Sequence, residues 1–292
     1  MFALIDGDIL IYRIGFSSED IPERLALFRL RDYFDEIQSK LLIKGYKTYI
    51  TSNDKSNYRF AIDPEYKGNR KAEKPKHYDA LRDYLENEEA FNAEMVYGKE
   101  ADDAIGIHAH TFKTKKDFII LSLDKDLNQI AGWHYNFVKK KKYYLNELSG
   151  LRFFYKQILM GDNADNIKGI IGIGEVLANK LIDPLSKESE MYKVVKHIYE
   201  DVDSLDNLIK RGQLLKIQTK EQELWQPPDL SQKEINEPVK TLSEVDWKKS
   251  FERFSKIQKS RLSTSQSECT SSTPPPSDST CQTGSTKTKK SL

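Results

Sequence analysis

DFIILSLDKD, residues 117–126, is the clearest strand of the chain. Its apolar run is bounded by charge and ends in Asp124-Lys-Asp126, which suits a strand buried within a parallel sheet. Working outward, Phe2 to Ile5 is a short apolar strand that ends at Asp6-Gly7-Asp8. Tyr46 to Thr51 is a second strand followed by Asp54, and Ala93 to Tyr97 is a third. Leu27, Leu30, Phe34, Ile37 and Leu41 recur at spacings of three and four, which predicts a helix with one buried face over 24–43. Further helices are expected over 78–89 and 100–111, with loop over 52–77. Strands alternating with helices predict an α/β fold with a mainly parallel central sheet flanked by helices. In such sheets functional groups collect at the carboxyl ends of the strands. Asp6, Asp8, Asp54, Asp124 and Asp126 all fall just after predicted strands.

The character changes after residue 150. Leu151 to Met160 and Glu175 to Ile182 read as helices around the glycine-punctuated GDNADNIKGIIGIG, 161–174. Such a helix-hairpin offers backbone N–H groups to a phosphate. Residues 188–212 read as helical again, and 262–292 are Ser/Thr/Pro-rich and expected to be disordered. The expected division is therefore a catalytic core over 1–150, a helical subdomain over 151–261 with the hairpin at 161–182, and the tail. Both cysteines, Cys269 and Cys281, lie in that tail, so neither a disulfide framework nor a cysteine metal site is expected. No 18-residue apolar run is present and the first residues lack a basic leader pattern, so a cytoplasmic protein without membrane contact is expected. The 46 basic and 45 acidic residues nearly cancel, so any polyanion surface must come from local patches.

The acids are Asp6, Asp8, Asp54, Glu100, Asp102, Asp103, Asp124, Asp126, Asp162 and Asp165. Any one of them is most simply a turn or cap residue, and Glu100, Asp102 and Asp103 suit the first turn of a helix. If the strand ends converge, however, so many anions in one cleft require cations. Oxygen ligands without His or Cys select hard ions such as Mg²⁺ or Mn²⁺. Two such ions about 3.5–4 Å apart can drive phosphodiester hydrolysis without a protein base.

The motifs IDGD (5–8), DPEYKGNRK (63–71), EADD (100–103), SLDKDL (122–127) and GDNADNIKGIIGIG (161–174) occur in one order. Together they resemble the 5′ nuclease superfamily of flap endonucleases, polymerase 5′ nuclease domains and phage 5′→3′ exonucleases. Residues 208–217 and 224–227 resemble the C-terminal end of the podophage exonucleases. The resemblance implies a PIN-like core, a helical arch over 67–92 and a helix-three-turn-helix. It implies that Asp6, Asp54, Glu100, Asp102 and Asp124 organise one Mg²⁺ and that Asp126, Asp162 and Asp165 hold a second. Asp103 would act directly or through water, and Asp8 sits where relatives vary. Lys67 and Arg70 would reach the scissile phosphate as catalytic cations. Lys71, Lys74 and Lys76 would steer a strand, while Lys168, Gly172 and Gly174 would meet the duplex backbone, with K⁺ as a candidate ion at the hairpin. The expected partner of this monomer is DNA with 5′ ends, nicks or flaps, or an RNA–DNA hybrid, in phage replication, primer removal, recombination or host DNA degradation. A PIN-type ribonuclease and a non-catalytic DNA-binding protein are the rivals. Tyr78 and Tyr84 read equally as stacking or packing groups. Lys139–Lys142, ahead of Tyr143-Tyr144, reads as a solvated hairpin tip, with phosphate binding as the other reading.

Overall fold

The computed structural model describes residues 1–70, 73–253 and 256. The expected tail at 262–292 lies outside the described residues. In chain order the first elements are β1 (Phe2–Asp6), α1 (Gly7–Phe16), α2 (Glu23–Leu41), β2 (Gly45–Thr51), α3 (Arg59–Ile62) and α4 (Tyr78–Asn87). Then come β3 (Ala93–Val96), α5 (Ala101–Thr111), β4 (Phe118–Leu121), β5 (Gly132–Asn136), β6 (Lys141–Leu145) and α6 (Glu147–Met160). The remainder is β7 (Gly161–Asp162), β8 (Ile167–Lys168), α7 (Glu175–Ile182), α8 (Glu188–Val202), α9 (Leu205–Leu215), α10 (Gln232–Asn236) and α11 (Lys240–Glu244).

The main sheet runs β3-β2-β1-β4-β5-β6. Its first five strands are parallel, and β6 folds back antiparallel on β5. Every residue of β4 is buried, in keeping with its unbroken apolar sequence. One face of the sheet is covered by α1, α2 and α4 around Leu10, Ile11, Leu30, Phe34, Leu81 and Leu85. The other face carries α5, with Ile105 and Ala109 against Leu4, Phe118 and Ile120. Beyond it, α6 to α9 gather around Phe154, Ile158, Leu181, Val195 and Leu208. The parallel strands put Asp6, Thr51 and Leu121 at one edge of the sheet. The segments that follow them therefore begin on that edge.

Several elements differ from the sequence reading. Helix α1 begins directly after β1, so Asp8 sits in a first helical turn and not in a loop. Its ten residues are apolar apart from Asp8, Tyr12 and Arg13, leaving little polar face for a helical period to show; Ile9 N donates to Asp6 Oδ1 at 3.1 Å, the cap that starts it. The predicted loop over 52–77 contains the single turn α3. The helix expected over 188–212 breaks at Asp203, where Ser204 caps α9. Helix α4 packs on α1 and α2, so Tyr78 is buried and Tyr84 meets Phe91 edge-on; both are packing groups. No described helix is long and apolar enough to cross a membrane.

Helix α6 approaches the chain closely at Gly150, where an added Cβ would stand 2.3 Å from the Gln129 carbonyl oxygen. Alanine ordinarily favours a helix over glycine by about 0.5–1 kcal/mol. Overpacking of a tight contact costs about 1–3 kcal/mol and outweighs that gain here. Gly150→Ala is therefore expected to lower the thermal midpoint, read by circular dichroism.

Candidate active site

The cleft at the carboxyl ends of the parallel strands has a volume of about 390 Å³. Asp6, Asp8, Glu100, Asp102 and Asp124 line it, facing Lys67 and Arg70. Each acid is delivered by local structure. Asp6 ends β1, caps α1 and accepts from Ser122 Oγ at 2.6 Å. Glu100 occupies the N-cap position of α5, and Asp102 lies in its first turn. After β4 the chain turns sharply: Asp124 N donates to Ser122 Oγ (2.9 Å) and Asp126 N donates to Asp124 Oδ1 (2.8 Å). The same serine hydroxyl thus links the ends of β1 and β4.

These carboxyls perturb one another. Burial, then the neighbouring Asp8 and Asp124, push the Asp6 carboxyl up to about 7. Burial, Asp124 and Asp162 do the same to Asp126, again to about 7. Asp102 is raised by burial and by Asp124 and Asp6, and Asp124 by burial and by Asp165. Glu100 moves the other way: burial would raise it, but Lys67 and Arg59 outweigh burial and hold it below its ordinary value.

Cations of the chain partly fill the cleft. Lys67 Nζ bonds Glu100, and Arg70 Nη2 reaches Asp165 Oδ1 at 2.5 Å. Lys125 Nζ reaches Asp162 Oδ2 at 2.6 Å. The Tyr66 hydroxyl, buried, donates toward Asp165 (2.9 Å) and Glu100 (3.2 Å). Lys67 adopts φ 56, a left-handed conformation, and its N–H donates to the Asp165 carbonyl at 2.9 Å. Asn69 Nδ2 bonds Asn163 O (2.6 Å) and Asn166 Nδ2 bonds Glu65 O (2.9 Å). The basic segment is thereby laced to the loop carrying Asp162 and Asp165, which sets Asp165 beside Lys67 and Arg70 at the cleft's flank.

Not every expected site residue converges. Asp54 is exposed and accepts from Ser56 N at 2.9 Å, so its carboxylate closes its own turn outside the cleft lining. Asp103 is fully buried and gripped by Arg59, with Nη1 at 2.5 Å and Nη2 at 3.0 Å, and also accepts from Gln218 N at 3.0 Å. Its oxygens are engaged away from the cleft, which corrects the expectation of a carboxylate acting there directly or through water. Asp8 accepts from Thr51 N (3.1 Å) and faces Arg82 at 3.7 Å. Lys74 lies 4.1 Å from the Tyr78 ring centroid, and Lys76 rests on Glu19. Lys71 lies outside the described residues. Lys168 is exposed on β8, and Gly174 opens α7 with free space at its Cα. Gly172 has φ +86, and a Cβ there would meet the Ser250 carbonyl at 2.9 Å, so chain packing already accounts for this glycine. Tyr66, Arg82, Ser122 and Lys125 were missed by sequence reading. Tyr66 lies in DPEYKGNRK and Ser122 and Lys125 lie in SLDKDL, whereas Arg82 carries no local signal.

The donor set suits a hard divalent cation: the ligating atoms are all carboxylate oxygens, and burial and mutual repulsion disfavour the anions of Asp6, Asp102, Asp124 and Asp126. Among the described residues no three acids form a metal-sized cluster, and Lys67, Arg70 and Lys125 each pair with an acid of the site.

Arg59 also donates to the carbonyls of Leu214 (2.8 Å) and Lys216 (3.1 Å), tying α5 to the end of α9 and the chain just after it. Removing one partner of a buried ion pair costs about 3–5 kcal/mol because the other charge remains unpaired. Arg59→Met should therefore lose stability on that scale in urea denaturation, with Arg59→Lys recovering part of it. Asp6 and Asp126 have folded values near 7, above their ordinary 3.8. The native state then binds more protons than the unfolded one between those values, so their contribution to stability falls as pH rises from about 4 to 7. In chelator, Asp6→Asn should flatten this slope, read as thermal midpoint against pH.

Residues 1–152 match the family described as 5′-3′ exonuclease, N-terminal resolvase-like domain. A 5′-3′ exonuclease of Buchnera aphidicola subsp. Schizaphis graminum is 28% identical over 223 residues, covering 70% of this chain and 75% of that protein. Flap endonuclease Xni of Shewanella putrefaciens is 28% identical over 211 residues, covering 68% and 79%. In fold, the chain is similar to the T5 D15 protein co-crystallised with metal ions: TM-score 0.55, 20% identity, 72% of this chain and 89% of that one. The match spans the sheet and every acid from Asp6 to Asp126, and the chain belongs to the 5′-3′ exonuclease family of the 5′ nuclease superfamily, whose members are phosphodiester hydrolases.

Proposed function

We propose that this chain is a Mg²⁺-dependent 5′→3′ exonuclease with flap endonuclease capacity that cuts DNA at 5′ ends, nicks or flaps. The observation that carries this reading is that Asp6, Asp8, Glu100, Asp102 and Asp124 face Lys67 and Arg70 across one cleft. Asp6, Glu100, Asp102 and Asp124 would hold one ion, and Asp126, Asp162 and Asp165 a second. Bound divalent ions supply a water of lowered pKa and neutralise charge on the phosphate. The chain's own part is to orient and to exchange partners. Lys67 and Arg70 leave Glu100 and Asp165 and turn to phosphate oxygens, the arginine as a planar fork and the lysine as a point charge. Asp54 is exposed and accepts from Ser56 N in its own turn, and Asp8 is engaged by Thr51 and Arg82.

Lys168 and the N-terminus of α7 at Gly174 would contact the duplex backbone without reading sequence, with K⁺ held by nearby carbonyls. A monomer of this kind would serve phage replication, primer removal, recombination or host DNA degradation, and an RNA–DNA hybrid is a further substrate. The glycine-rich segment and hairpin over 161–182 weigh against the PIN-type ribonuclease reading.

Cleavage of a 5′-labelled flap duplex should require Mg²⁺ and stop in EDTA. Asp124→Asn should lower single-turnover cleavage at least about a hundredfold, equal to roughly 3 kcal/mol at the transition state, while binding persists. Cleavage that continues in EDTA would overturn the metal assignment. Binding without any cleavage by the wild type would favour a non-catalytic DNA-binding protein.

A further inference from the structure

The hairpin between β5 and β6 carries Lys139, Lys140, Lys141 and Lys142 in succession, all exposed. Its position in the sheet gives this run more meaning than a solvated turn. β5 lies parallel beside β4, with Tyr135 opposite Leu121. The tip after Asn136 therefore leaves the sheet on the same edge as Ser122–Asp124, one strand further out.

The tip is also rigidly mounted. The Phe137 side chain is buried in the core under α1 and α2, and its carbonyl accepts from the Tyr33 hydroxyl at 2.9 Å. Asn136 Oδ1 accepts from Lys139 N at 2.8 Å and closes the turn. Lys140 has φ 50, a conformation that glycine or asparagine adopts more readily, yet a cation occupies it. The lysines have little to neutralise them. Lys140 meets Glu36 at 3.4 Å, with both side chains more than half exposed, and Lys142 lies over the Trp133 ring at 4.4 Å. Lys139 and Lys141 make no ion pair among the described residues.

We propose that this hairpin is a second phosphate-binding surface, which grips the backbone of the DNA as it leaves the catalytic cleft. The inference rests on the nuclease reading above. A fixed cluster of cations on the sheet edge that also bears the acidic cleft offsets the repulsion between that cleft and a polyanion. Each phosphate neutralised on duplex DNA releases counterions and adds about 0.9 to the slope of log affinity against log salt. Contacts of this kind hold any sequence.

The test is fluorescence anisotropy of the full chain with a labelled flap duplex, in EDTA so that nothing is cut, across a salt series. Combined Lys139→Ala, Lys140→Ala and Lys141→Ala should weaken binding at least fivefold and reduce the salt slope by about 2 to 3. Arginine at the same three positions should retain both affinity and slope. A matched control removes Lys113, Lys115 and Lys116, which precede β4 at the opposite edge of the sheet, and should leave the slope as it was. An alanine variant that binds like wild type, or an equal loss in the control, would overturn the proposal. Wild type that neither binds DNA nor cuts it in Mg²⁺ would overturn the nuclease reading itself, a result distinct from either of these.

Discussion

Repulsion among carboxylates held in one buried cleft is the constraint on which the rest of this structure turns. Asp6, Asp102, Asp124 and Asp126 are each disfavoured as anions by burial and by neighbouring acids. A chain that gathers them must find positive charge nearby or keep them protonated. This one supplies Lys67 and Lys125 on side chains from both halves of the cleft, with Arg70 beside them. Those cations hold the site together, and they are also the groups a phosphate could draw away. The same electrostatics that make the cleft costly make it receptive to hard cations and anionic substrate together.

Two kinds of rigidity keep that arrangement in place. The first is topological: parallel strands deliver Asp6 and Asp124 to one edge, with Ser122 hydrogen-bonded between them. The second is the Arg59–Asp103 pair, which binds the helix bearing Glu100 and Asp102 to the end of α9 and the chain just after it. Asp103 stands beside Asp102 in sequence but serves opposite ends. One helical step turns it by about 100°, out of the cleft and into a buried guanidinium. Neighbours in an acidic motif can thus divide between chemistry and support.

The lysine hairpin extends this pattern of local patches in a nearly neutral chain. Net charge is +1, yet acids gather within the cleft opposite Lys67 and Arg70, and four lysines stand on the hairpin one strand along the same sheet edge. Overall charge therefore carries little information about partners, while placement along one sheet edge carries much.

The sequence by itself determined the alternation of strands and helices, because burial imposes a period on apolar residues that no partner is needed to reveal. It also determined which acid-bearing segments follow the strands, and the order of five motifs marked the family. Helix α1 escaped because most of its residues are apolar, which left little polar face to mark a helical period. Tertiary structure alone decided which acids share the cleft. Asp54 turned onto its own backbone and Asp103 onto Arg59, forty-four residues away in the chain. Asp162 and Asp165 were brought in by contacts between segments roughly a hundred residues apart. Local patterns report burial and caps, but the direction of a carboxylate depends on distant partners that no local pattern encodes.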